Sequence, residues 1–395
     1  MNNVRKRSFA VVGVLTLSLL AAACGSDDDS GDSASTDAPP STAVAGDTTT
    51  TAGSDSTEAP TTDAAGGGTE VDLSALSGSI VGSGATFPKS FYDEAIAELA
   101  DIAPDLTVEY GGGGSGKGRS DLQEQVVDFA GTDGVVKEED VAKFKGGEFV
   151  YVPTVVAPIT LAYNIPDIDA LQLSPATIAG IFQLEITNWN DPKIAADNPD
   201  ATLPDLGIVV ARRADGSGTT ENFSKFLEAS VGPDATGEWK LGTGSELEWP
   251  EGTQAGDGNS GVAQIISSTE GAIGYVDLSD ANANGLTTAS VQNKAGNYVA
   301  PTLEGASAAA AGATINDDLT YFAGWADGDD AYPIAAQTWI IAYTKQDDAA
   351  KAEAIRGFLT YLLTEGQTLA PTIDFAPLPA ELQAKAMENI AKIGA

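Results

Sequence analysis

The chain has 395 residues, 42% of them hydrophobic, which after targeting and tail segments are set aside is enough for about two domains of ordinary size. Its net charge of −37 comes from 57 Asp and Glu set against only 20 Lys and Arg, a balance that repels nucleic acid and excludes it as a partner. There is no histidine and only one cysteine, which removes the Ser-His-Asp and Cys-His nucleophile arrangements and the commonest transition-metal ligand. The acidic clusters at Asp27–Asp29 and Asp327–Asp330 lack the spacing of a calcium loop and read as solvated charge.

At the N-terminus, Arg5, Lys6 and Arg7 precede an apolar run from Phe9 to Ala23 that is too short to span a membrane but suits a secretory signal peptide over residues 1–23. The run ends on the sole cysteine, and Ala21-Ala22-Ala23-Cys24 resembles a bacterial lipobox, in which the cysteine is lipidated and becomes the first mature residue. Alanine stands where leucine is usual. Lipidation also accounts for an unpaired thiol in an exported chain. From Cys24 to residue 74 the composition is almost entirely Ser, Thr, Asp, Ala, Gly and Pro, without Lys or Arg. Such a segment buries too little apolar surface to offset its backbone entropy, and its carboxylates repel each other, so it reads as a disordered acidic tether.

From about Leu73 short apolar runs alternate with helical periodicities, the pattern of an α/β fold. Ser79–Val81 suits a strand, and Phe91, Ala95, Ile96 and Leu99 recur at helical spacing behind Pro88. Leu106–Tyr110 suits a strand, followed by a glycine loop, a helix carrying Leu122 and Val126, and a short strand Val126–Ala130. Val150–Tyr163 contains two β-rich runs around Pro153 and Pro158. Ile208–Ala211 reads as a strand, Gly271–Val276 and Thr338–Tyr343 as buried strands, and Phe223, Phe226 and Leu227 as one helix face. Two apolar stripes close the chain: Ile355, Phe358, Leu359, Leu362 and Leu363, then Leu382, Ala386 and Ile390.

Three of these junctions place glycines beside a hydroxyl residue just where a helix begins: Gly82–Pro88, Gly111–Gly118 and Arg213–Thr220. A helix start leaves backbone N–H groups unpaired and carries partial positive charge, glycine lets the backbone approach a ligand, and Ser or Thr adds a donor. Any one of them is an ordinary turn signal; together they point to one oxyanion. Gly111–Lys117 matches the start of a nucleotide-binding P-loop, but Gly118 stands where Ser or Thr must hold magnesium, so that reading fails. In Arg213–Thr219 the guanidinium of Arg213 can be fixed by Asp215 while Ser217, Gly218 and Thr219 aim donors into the same space; Arg212 is expected to be exposed. Asp133 is either the N-cap of the next segment or an acceptor for a ligand that keeps a proton, as phosphate does at neutral pH.

Four segments, Val81–Pro88, Tyr110–Gly116, Val127–Asp133 and Arg213–Thr219, resemble in order and spacing the phosphate-binding protein of the bacterial high-affinity phosphate ABC transporter. Asn188–Asp191, Gly242–Gly244 before Trp249-Pro250, and Gly271–Val276 support the match, which runs from about residue 79 to the end. The resemblance implies an α/β, two-domain periplasmic-binding-protein-like clamshell of type II, with the ligand cleft between domains joined by two crossing strands. It implies a discontinuous domain I (75–155 and 335–395) around domain II (156–334), with hinges near Thr154 and Ala335. Phosphate would be bound by Thr86, Phe87 through its N–H, Ser115, Asp133, Arg213, Ser217, Gly218 and Thr219, with Asp215 pairing the arginine. Thr132 where Ser is common, and Gly116-Lys117-Gly118 in place of a run richer in glycine and serine, are the departures.

The expected function is capture of inorganic phosphate outside the cytoplasmic membrane, with arsenate as a competitor, and its delivery to an ABC permease. The protein would be a lipid-anchored monomer with no enzymatic activity, cofactor or metal. A phosphate sensor or adhesin would suit the tether equally, while a phosphate-ester hydrolase would lack an agent to activate a nucleophile. If Cys24 carries the anchor, Cys24→Ala releases folded protein into the medium, which fractionation of expressing cells checks; a variant that stays with the membrane overturns the assignment.

Overall fold

The computed structural model describes residues 71–394; the expected signal peptide, the expected lipidation at Cys24 and the expected tether up to residue 70 lie outside the described residues. Asp72 caps a single turn at Leu73–Ala75, and Val71 and Leu73 pack against the core beside buried Leu76. The first half of the fold is built on β1 (Gly78–Gly84), β2 (Leu106–Gly113) and β3 (Phe129–Thr132), with β1 parallel to both of the others. Each of the first two strands feeds a helix, α1 (Lys89–Ile102) and α2 (Gly114–Gln123). The expected apolar face of α1 is buried through Phe91, Ala95 and Leu99, and Tyr92 beside it meets Tyr110 edge-on with ring centroids 4.9 Å apart.

Two expectations in this region are corrected. The glycine run is not a loop ahead of the helix: α2 starts at Gly114, so Ser115–Gly118 form its first turns. Val126 lies beyond the helix and is 69% exposed, and the following strand begins at Phe129. Gln125 has a left-handed backbone (φ 57°), which ends the helix and turns the chain back before Val126 can join either element.

The two β-rich runs around the prolines form one strand, β4 (Phe149–Tyr163), which crosses the molecule. Its first part pairs antiparallel with β8 (Ala335–Tyr343), which in turn pairs antiparallel with β3. Its last five residues pair with β7 (Ala272–Asp277) of the second half, where β5 (Val209–Arg213) runs parallel to β7 and to β6 (Gln254–Gly256). The sheet order is therefore β2-β1-β3-β8-β4-β7-β5-β6, with Thr287–Thr288 also pairing with β4. A proline removes one ladder donor, and the register slips beside Pro153: Gln337 faces Val156 but Trp339 faces Pro153, so β4 carries one extra residue opposite Thr338.

In the second half, α3 (Gly218–Val231) follows β5 and α4 (Gly258–Ser268) follows β6. The face predicted for α3 is buried: Phe223 stacks on Tyr275 at 4.6 Å and Phe182 packs on both, a set of contacts worth about 0.5–1.5 kcal/mol per ring pair beyond the area they bury. Trp189, from the Asn-Trp-Asn-Asp segment, is buried and donates its indole N–H to Gly271 O at 3.0 Å, so this motif is a packing element. The two C-terminal stripes are the buried faces of α5 (Ala349–Leu363) and α6 (Ala380–Ile390).

Candidate functional site

In open α/β sheets ligands bind beyond the carboxyl ends of the strands, where the helix N-termini converge. Here that rule applies twice, because β1, β2 and β3 of one half and β5 and β6 of the other all end at the same cleft. The helices α1, α2, α3 and α4 start there, each with unpaired N–H groups at its first turn.

The first half contributes Thr86, Phe87, Ser115 and Asp133. The turn after β1 is pinned from two sides, since Ala85 N–H donates to Gly131 O (2.9 Å) and Tyr110 Oη–H donates to Ala85 O (2.8 Å). Among the described residues the Phe87 N–H meets no protein acceptor, while its ring is buried against Phe375. Ser115 Oγ accepts from the Asp133 N–H (3.1 Å) and donates to Asp133 Oδ2 (3.2 Å). Thr338 Oγ1–H donates to Asp133 Oδ1 at 2.7 Å. Asp133 is only 1% exposed, and its side chain faces the cleft and does not cap a helix.

The second half contributes Arg213, Ser217, Gly218 and Thr219. Arg213 is 3% exposed and is bound on both sides: Nε donates to Asp215 Oδ1 (2.8 Å), Nη2 pairs with Asp215 Oδ2, and Nη1 donates to Asn259 Oδ1 (2.7 Å). Thr219 Oγ1 lies 3.5 Å from Nη1 and also donates to Asn259 Oδ1 (3.2 Å). All three guanidinium nitrogens are thus held by protein acceptors, which fixes the orientation of the planar group at the cleft. Ser217 caps α3 by accepting from the Thr220 N–H (3.1 Å), which leaves its own O–H free to donate. The N–H groups of Gly218 and Thr219 meet no acceptor among the described residues. A Cβ at Gly218 would collide with Ser115 Oγ and come within 2.6 Å of Asp133, so only glycine lets the start of α3 close onto the first half.

All nine predicted residues of the cleft therefore meet in one place, and the sequence reading missed the groups that hold them. Asn259, at the first turn of α4, accepts from Arg213, donates from its backbone N–H to Thr86 Oγ1 (3.3 Å) and from Nδ2 to buried Asp277 Oδ2 (2.6 Å). Its segment, Gly256-Asp257-Gly258-Asn259-Ser260-Gly261, repeats the glycine-and-hydroxyl grammar of the other three junctions, so the signal was there. Thr338, Asn222 and Gln337, which respectively donate to the Asp133 carboxylate and its backbone oxygen, carry no comparable mark. Arg212 is half-buried and not exposed as expected: on the other face of β5 it donates to Thr253 Oγ1 (3.2 Å) and Arg213 O (3.0 Å). Lys117 pairs with Asp121 on its own helix.

The electrostatics separate the two carboxylates. Burial works to raise the Asp215 pKa, but the bonds and charge of Arg213 and the Gly258 N–H outweigh it and hold the group below the usual carboxylate range. Burial pushes Asp133 up to about 7, against the lowering influence of Thr338, Ser115, Arg213 and Arg119. Donors that converge on a space bounded by one acceptor carboxylate suit a tetrahedral oxyanion that still carries a proton.

Fold and site define a protein of the PBP superfamily class, and a family model for the PBP superfamily domain matches residues 36–365. The chain is 34% identical over 316 residues to the phosphate-binding protein PstS of Pasteurella multocida, a match that covers 78% of this chain and 89% of the relative. It is 35% identical over 340 residues to the phosphate-binding protein PstS of Methanocaldococcus jannaschii, covering 79% and 83%. The chain belongs to the PstS phosphate-binding protein family. Among solved structures, the fold is similar to a high-affinity periplasmic phosphate-binding protein bound with phosphate (TM-score 0.65, 22% identity, 79% of this chain and 93% of that one). It is also similar to the phosphate-binding protein of Stenotrophomonas maltophilia (TM-score 0.63, 21% identity, 79% and 94%).

A raised carboxylate pKa sets a direction for stability. Between the unfolded value of 3.8 and about 7 the native state holds the Asp133 proton more tightly than the unfolded chain, so stability contributed by the neutral acid is lost as pH rises through that window. Asp133→Asn, stripped of ligand, should therefore gain unfolding free energy relative to wild type as pH goes from 5 to 8, by up to a few kcal/mol, and so melt progressively higher. Parallel melting curves with pH would refute the buried, ionising Asp133.

Proposed function

We propose that the protein captures inorganic phosphate in the cleft between its two halves and delivers it to the permease of an ABC transporter. The observation that carries this reading is the buried carboxylate of Asp133, set among donors that include the braced guanidinium of Arg213. Phosphate offers three oxygens to the donors and one O–H to the carboxylate, whereas sulfate would press a second negative group against Asp133 without water, a penalty of several kcal/mol. Arsenate, protonated as phosphate is, competes. The names of the relatives support the same role, which is binding and not catalysis.

In this reading Thr86, Phe87, Ser115 and Asp133 close on the anion from domain I, and Arg213, Ser217, Gly218 and Thr219 from domain II, with Asp215 orienting the arginine. The halves swing about β4 near Thr154 and about the start of β8 at Ala335, and the protein works as a monomer. Lipidation at Cys24 would hold it on the outer face of the cytoplasmic membrane, the acidic tether giving it reach toward the permease. Carriage of phosphate to a permease fits a donor set that binds the ion whole; nothing in the cleft favours the sensor or hydrolase readings.

Calorimetry of the stripped protein with phosphate, sulfate and arsenate at fixed ionic strength tests the reading directly. Phosphate and arsenate should bind and sulfate should not. Arg213→Ala should weaken phosphate by roughly 30- to 5000-fold, the loss of about 2 to 5 kcal/mol expected for a buried charged hydrogen bond, while Arg212→Ala changes binding little. Asp133→Asn should shift the phosphate-to-sulfate ratio toward sulfate by about tenfold or more. An unchanged ratio would place discrimination elsewhere.

A further inference from the structure

Ser115, Asp133, Ser217 and Thr219 are each no more than 1% exposed, so an anion among them can neither enter nor leave until the two halves part. Whatever ties the halves together therefore sets the rate of release. Among the described residues a single ion pair joins them: Arg119 of α2 and Glu221 of α3, with Nη1 and Oε2 3.7 Å apart and side chains 15% and 12% exposed. Neither residue is among the anion donors. Arg119 lies one helical turn beyond Ser115, and Glu221 one turn beyond Ser217, so both stand just behind the ligand-facing end of their helices.

Each partner is held in place on its own side. Arg119 Nη1 donates to Thr132 Oγ1 (3.0 Å) and Gly134 O (3.3 Å), bracketing Asp133, and Lys225 Nζ lies 2.7 Å from Glu221 Oε1. The Glu221 carboxylate sits directly on the backbone of Gly134, where any Cβ would collide with it. Next to it, Asn222 Nδ2 donates across to Asp133 O at 2.7 Å. A polar cavity of about 380 Å³, lined by Val136 and Lys137 from one half and Lys225 and Ser245 from the other, borders the pair and gives water access to it as the helices separate.

We propose that Arg119 and Glu221 form a latch between the two halves that holds the closed state and slows phosphate release. The inference rests on the reading that the cleft binds phosphate. It also predicts a sign that a simple field effect does not. If the two residues acted only through their charges on the anion, neutralising Arg119 would weaken phosphate and neutralising Glu221 would tighten it. A latch loses strength whichever partner is removed.

The test loads the full chain with radiolabelled orthophosphate, chases it with unlabelled phosphate, and measures association separately by stopped flow. Glu221→Gln, which keeps the side-chain shape, and Arg119→Gln should each speed dissociation roughly tenfold with association changed less than about threefold. The double variant should be no worse than the stronger single within about twofold, because both remove one interaction. Arg119→Lys, which loses the fork onto Thr132 and Gly134, replaces Arg119→Gln if that variant does not fold, with the same direction expected. Slower release from Glu221→Gln, unchanged release from both single variants, or fully additive effects would overturn the latch. Wild-type protein that takes up no phosphate would overturn the functional reading and the latch with it.

Discussion

A carboxylate cut off from water has to be answered by its surroundings, and the position of Asp133 organises the rest of this molecule. Burial drives its pKa up, and the Thr338 and Ser115 hydroxyls on its two oxygens and the Arg213 and Arg119 charges nearby hold the rise to about 7. Asp133 in turn depends on strand register. β3 ends one residue before it, and the antiparallel pairing of Thr132 with Trp339 sets Thr338 beside it. The extra residue that β4 carries opposite Thr338 lies on the far side of β8, so a local irregularity of the sheet sits next to the site.

Arg213 is the counterpart in the second half, and it is fixed through a chain of buried groups. Its backbone N–H donates to Tyr275 Oη (3.3 Å), which also bonds Thr220 Oγ1 (2.7 Å), so β5, β7 and the start of α3 are tied together at one phenol. On the guanidinium side, Asn259 must present its oxygen, because arginine has no acceptor to offer. That choice sends the Asn259 amide N–H₂ toward Asp277, a buried acid whose pKa burial drives well above the ordinary range. The order Asp277–Asn259–Arg213 therefore fixes the fork before any anion arrives, which lowers the entropy lost on binding.

Much of the site could be read from the chain because it is written in local grammar. Gly-Ser-Gly-Ala-Thr-Phe-Pro, Arg-Ala-Asp-Gly-Ser-Gly-Thr and the glycine run before Ser115 each combine a strand end, a glycine and a hydroxyl at a helix start, and those local requirements are the same ones that build an anion site. Arg213 and Asp215, two residues apart, could be paired on sequence for the same reason. Thr338, Gln337 and Asn222 could not, because their roles come from strands and helices brought together over 89 to 205 residues of separation. The continuity of β4 was hidden by its prolines. Local rules read Pro153 and Pro158 as interruptions, but pairing with β8 takes in both, in regular register at Pro158 and with one slip beside Pro153.

The negative charge of the chain is part of the same logic. With 57 acidic residues against 20 basic ones, the surface offers an anion no long-range attraction, so affinity must be generated at short range inside the cleft. In the function proposed above it comes from helix N-termini, backbone N–H groups at Phe87, Gly218 and Thr219, hydroxyls and one arginine, nearly all of them neutral donors. Neutral donors distinguish anions poorly by charge, which leaves discrimination to the one group in the site that repels. A buried acid among donors favours an oxyanion that brings a proton, and in the function proposed above that is how Asp133 would turn a general anion cradle into a selective one.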